Sequence, residues 1–148
     1  MVERVGHPHG PPPATGAWHT LLARAEEAAA HHASPLAEAF AELVRVAHTE
    51  PRLRRLHPWT GMWELHFSRC TEHPPTWDIP YIGTSADGRY RVEGPSRSSP
   101  RITETGCARV AVAQVVEHLP PGCGPAFEGS AHELAAHERA RDGSGERA

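Results

Sequence analysis

No lysine and no asparagine occurs in the 148 residues; all fifteen basic residues are arginine. The missing lysine excludes Schiff-base chemistry and a P-loop lysine. The joint absence points to coding by GC-rich DNA, which is a mark of ancestry rather than of mechanism. Cysteine is scarce, and Cys70, Cys107 and Cys123 are an odd number at wide spacing. Without a Cys-x-x-Cys pair, neither a structural zinc site nor a redox pair is signalled. Free thiols in a reducing cytosol are the plain expectation. No run approaches the ~20 apolar residues of a membrane span, and the N-terminus lacks the basic-then-apolar pattern of a signal peptide. A cytoplasmic protein with no membrane partner is therefore expected. Net charge is only −3 with His neutral, so there is no broad basic footprint and a nucleic-acid partner is not expected.

Apolar residues are also sparse, at 39% of the chain, below the ~45–50% of an average globular protein on a scale that also counts Gly. Pro 15 and Gly 13 are both high. The deficit is uneven, which implies one compact domain with loose ends. Residues 1–16, containing His7-Pro8-His9-Gly10-Pro11-Pro12-Pro13, read as a disordered lead. Residues 17–33 read as an Ala-rich helix with Trp18, Leu21, Leu22, Ala25 and Ala29 near one face. Residues 34–130 read as a single α+β domain, and 131–148 as a polar tail.

The richest stretch is 51–68. Before it, Ser34-Pro35 is an N-cap with Pro at the first helical position, and Leu36, Phe40, Leu43, Val44 and Ala47 predict an amphipathic helix to about residue 49. Pro51 restarts a short helix through Leu56. A Pro-Trp-Thr-Gly turn then leads into an alternating strand, with Trp63, Leu65 and Phe67 inward and Glu64, His66 and Ser68 outward. Trp77, Ile79 and Tyr81 alternate again, Pro80 marking an edge strand. Ala86-Asp87-Gly88 is a hairpin signal, and Tyr90 and Val92 alternate inward after it. Residues 94–101 read as a loop and 106–119 as a helix closed by Pro120-Pro121-Gly122. Pro125 to Glu128 could add a short strand. The expected architecture is α+β: a small, mainly antiparallel sheet of three to four strands packed on one face by two or three helices, the other face polar.

The run from Pro51 to Ser68, Trp77-Asp78-Ile79-Pro80, Asp87 to Val92, Gly94-Pro95-Ser96-Arg97 and Leu119-Pro120-Pro121-Gly122-Cys123-Gly124-Pro125 resemble a domain-of-unknown-function family of GC-rich actinobacteria (DUF6193-like) over about residues 34–130. Its members are labelled natural product biosynthesis proteins. The resemblance implies a place in secondary metabolism but no catalytic residues. The family's pattern would place Ser after Pro-Trp-Thr, where this chain has Gly61.

The polar strand face supplies the candidate site. Glu64, His66, Arg89, Arg91 and Glu93 should project from it, with Asp78 and Arg97 near. They could recognise a partner, or pair across strands to keep the sheet soluble. His66 beside Glu64 could act as an acid–base pair. His57, Glu64, His66 and His73 are possible zinc ligands, against the expectation of a solvated face with incidental His and no cofactor. Cys123 follows a helix C-terminus, whose dipole disfavours a thiolate. Arg52, Arg54 and Arg55 read as a solvated helix face, and Trp59 and Trp63 as core. The leading expectation is a non-catalytic accessory domain offering its polar face to a protein or peptide partner. Alternatives are a small enzyme using His66 and Glu64, or an immunity- or antitoxin-type binder by analogy of architecture.

Overall fold

The computed structural model describes residues 12–147. The chain runs α1 (Thr15–His32), α2 (Pro35–Thr49), α3 (Pro51–Arg54), β1 (His57–Gly61), β2 (Glu64–Ser68), β3 (Tyr81–Thr84), β4 (Tyr90–Glu93), β5 (Thr103–Thr105), α4 (Ala108–Glu117) and α5 (Ala131–Arg147). The strands form one antiparallel meander in the order β1-β2-β3-β4-β5. The fold is α+β, as expected, with five strands rather than three or four.

Ser34 caps α2 as its sequence predicts, its Oγ accepting from the Ala37 N–H at 3.1 Å. Phe40, Leu43, Val44 and Ala47 then form its buried stripe. They meet Leu65, Phe67, Ile82, Tyr90 and Val92 from one face of the sheet, joined by Ala111, Val112 and Val115 of α4. Tyr90 reaches through this layer to donate to the Ala39 carbonyl at 2.7 Å, and burial pushes its phenol up to about 12.

α1 is part of this core. Trp18 is fully buried and its Nε1–H donates to the Leu56 carbonyl at 2.9 Å. Ala14 is buried as well, so the chain packs before the end of the expected 1–16 lead; residues 1–11 of that lead lie outside the described residues. At the other end the expected polar tail is α5, held by buried Leu134 and by an Arg69–Glu138 ion pair at 2.8 Å. The short strand expected at 125–128 is a single parallel bridge between Cys70 and Phe127.

Two strand readings are corrected. The expected Pro-Trp-Thr-Gly turn is β1, with Pro58 paired to Phe67; a strand tolerates Pro where it lies at a sheet edge and the missing N–H is not needed. The expected edge strand through Pro80 begins only after that residue, and β3 lies at the centre of the sheet.

The β1–β2 hairpin turns on Met62 and Trp63, with φ of 56° and 63°. A two-residue turn of this hand requires φ > 0 at both positions, which favours Asn-Gly. Here two large apolar residues occupy it, Met62 89% exposed and Trp63 37% exposed. Trp63 is thus not an inward strand residue; it sits at the turn and meets Phe40 edge-on at 5.5 Å. Met62→Gly removes the left-handed strain without removing a buried contact. It is expected to raise unfolding stability by on the order of 1 kcal/mol in urea denaturation.

Candidate functional site

The second face of the sheet is polar in sequence yet buried. Glu64 is 7% exposed, His66 3% and Ser68 0%. The expectation of a solvated face fails because alternation identifies the residues that miss the core, and says nothing of what covers them. Here the cover is aromatic. Trp59, paired to His66 across the β1–β2 ladder, stacks on its imidazole at 4.0 Å. Tyr81 stacks on the other side at 4.5 Å. Trp77 meets both His66 and Trp59 edge-on, at 5.5 and 5.2 Å.

Within this cover three of the sequence candidates converge. Arg97, from the loop after β4, grips Glu64 with both nitrogens, Nη1 on Oε2 at 2.9 Å and Nη2 on Oε1 at 3.0 Å. Such two-point pairs combine charge with fixed geometry. The guanidinium also lies over the Tyr81 ring, 5.2 Å from its centre. His66 Nε2 lies 3.0 Å from Glu64 Oε1. Burial alone would raise the Glu64 carboxyl, but hydrogen bonds from Arg97 and His66 outweigh it and hold it below its ordinary value. Burial holds the His66 imidazole below its ordinary value, although Glu64 pulls the other way. At neutral pH the pair is therefore a neutral imidazole whose Nε2–H donates to a carboxylate. The ion pair of the cluster is Arg97–Glu64.

The remaining candidates are dispersed. Arg91 donates to Ser85 Oγ at 2.6 Å and pairs with Glu93 at 3.5 Å. Arg89 precedes β4, with its guanidinium beside Gly106. Asp78 belongs to a different ion pair, with Arg69 at 2.7 Å. Among the described residues, no three His, Cys, Asp or Glu side chains gather as a metal-holding group. His57, Glu64, His66 and His73 do not form one set. The His66 ring is fixed between two aromatic rings, while His57 and His73 line a cavity beyond them. The three cysteines are free thiols, and burial pushes the Cys123 thiol up, away from the nucleophilic form.

That cavity, about 590 Å³, has Trp59, Trp77, Pro74 and Pro75 among its walls. Trp77 is 49% exposed. Sequence reasoning assigned Trp59 to the core and Trp77 to a strand. The readable signal was the clustering of two tryptophans and two histidines, His57 and His73, around a Pro-rich turn, but only folding shows that they line one cavity.

Fold and site together define a small α+β domain: a five-stranded meander with helices on one face and an aromatic-covered Glu–His–Arg cluster on the other. The chain belongs to a family of unknown function, DUF6193, whose model matches residues 14–130. The match begins at α1, twenty residues before the stretch that carries the sequence resemblance, in keeping with buried Ala14 and Trp18. No curated protein and no solved structure gives a significant match to the chain. No helix among the described residues is long and apolar enough to cross a membrane.

Proposed function

We propose that this chain is a non-catalytic accessory domain that recognises a protein or peptide partner, in the natural-product setting that the family resemblance implies. One observation carries the reading. Both Glu64 oxygens are taken by Arg97 and His66, while the aromatic cover beside them presents a half-exposed Trp77 on an open cavity. Chemistry needs a group free to exchange a proton with substrate; recognition needs a shaped, partly apolar surface. Walls of tryptophan and proline suit an extended, proline-containing peptide segment, which docks on aromatic grooves at low entropic cost. The partner-facing surface is thus aromatic rather than ionic.

The 3.0 Å contact of His66 with Glu64 favours a second reading, an acid–base pair. A panel of synthetic proline-containing peptides, titrated while tryptophan emission is followed, separates the two. Saturable binding that weakens at least about tenfold in Trp77→Ala is the expected result, as for an aromatic anchor. Equal binding by that variant, or none by the intact chain, overturns the recognition reading. Turnover lost in Glu64→Gln would install the second.

A further inference from the structure

A second cavity lies on the opposite side of Trp59, between α1 and the β1–β2 hairpin. We propose that it binds a small, flat, apolar carboxylate. Its volume of about 510 Å³ falls within the ~300–1,000 Å³ of small-molecule sites. Leu21 and the small residues Gly16 and Ala17 of α1 form one wall; Phe40 and Trp63, with the Pro58–Thr60 run of β1, form the other. The small side chains on the helix leave the space open, and the Phe40 and Trp63 rings, edge-on to each other at 5.5 Å, give it apolar surface.

Charge selects the ligand. Among the described residues, Arg24 is the one charged residue that lines the cavity, and no carboxylate does. Among the described residues Arg24 makes no ion pair, whereas Arg45 on α2 is paired with Glu26. An apolar body with a carboxylate at one end fills the aromatic space and places its charge on the guanidinium, whose fork matches carboxylate geometry. The turn strengthens the assignment. Left-handed conformations at large side chains cost free energy and gather at functional positions. The one at Trp63 holds its indole at the cavity wall, where Asn-Gly would make an easier turn and leave no wall.

The site shares Trp59 with the Trp77 cavity, and its test keeps the two apart. Naphthylacetate and its neutral analogue naphthylacetamide are titrated calorimetrically into the full chain, into Arg24→Gln and into Trp77→Ala, with indole N–H signals followed by NMR. Arg24 is exposed, so Arg24→Gln leaves the core untouched. The expected result is a preference of about tenfold for the carboxylate. That preference should vanish in Arg24→Gln, persist in Trp77→Ala and weaken with salt, while the Trp63 indole signal moves. Absence of saturable binding at millimolar ligand, equal affinity for acid and amide, or a preference that survives Arg24→Gln overturns the proposal. So does a shift of the Trp77 signal without one at Trp63.

Discussion

Replacing Trp18 by alanine is expected to lower unfolding stability by about 3–5 kcal/mol, the range for a fully buried aromatic. Trp18 packs against His48 at 5.5 Å and Phe67 at 6.4 Å, and so ties α1 to both α2 and the sheet. Its indole N–H also satisfies the Leu56 carbonyl where the chain leaves α3 for β1. Trp18→Phe separates the two contributions. It keeps most of the apolar volume and leaves that carbonyl without its partner, for an expected loss of about 1–3 kcal/mol. Denaturant unfolding of both variants checks the claim. A loss below about 1 kcal/mol for Trp18→Ala would make α1 an appendage and restrict the domain to the residues after it.

The place of α1 also shows what the sequence could and could not reveal. Its apolar face was visible, but a short alanine-rich stripe does not say which surface it meets, so the helix read as a separate piece. Helix α2 was legible to its ends, because Ser34-Pro35 opens it and its four-residue spacing stops near Thr49. Strands β2 and β4 were legible in their inward residues Leu65, Phe67, Tyr90 and Val92, all buried. β1 was hidden by Pro58 and Gly61, both turn-like locally and both tolerated at a sheet edge. β5 is three residues long, too short for alternation to register. Among its described side chains α5 carries one buried apolar residue, Leu134, so its pattern resembled a tail.

The site divides along the same line. Glu64, His66 and Arg97 were named together because alternation and a nearby loop place them on one side of the sheet. The burial of Glu64 and His66 was not visible, since it comes from Trp59, Trp77 and Tyr81, each on a different segment. Periodicity reports the direction of a side chain relative to its own strand. The surroundings of that side chain are a property of the tertiary fold.

Burial of that cluster makes the protein acid-sensitive, starting from an unusually high pH. The folded state holds the His66 imidazole below its ordinary value of 6.5, and does the same to His48 and His57, burial being the main cause at each. Below pH 6.5, and down to those folded values, the unfolded chain takes up protons that the folded chain refuses. Stability is therefore complete above pH 6.5 and falls as pH drops through this window. The slope is up to about 1.4 kcal/mol per pH unit for each imidazole concerned. Glu64 extends the loss to lower pH. Its carboxyl is held below 4.5 in the folded state, so its contribution is present above 4.5 and disappears as the pH falls through the folded value. Denaturant unfolding at a series of pH values from 7.5 to about 4 measures the slope. His66→Gln keeps an N–H donor for Glu64 and cannot titrate. It is expected to lower stability at pH 7.5 through the lost ring stacking, and to flatten the slope below pH 6.5 relative to the unaltered chain. An unchanged slope would mean that His66 takes up its proton as readily in the folded as in the unfolded chain, and so is charged in the folded state below pH 6.5. The cluster would then be a charged Arg–Glu–His set, with the recognition surface beside it positively charged rather than neutral.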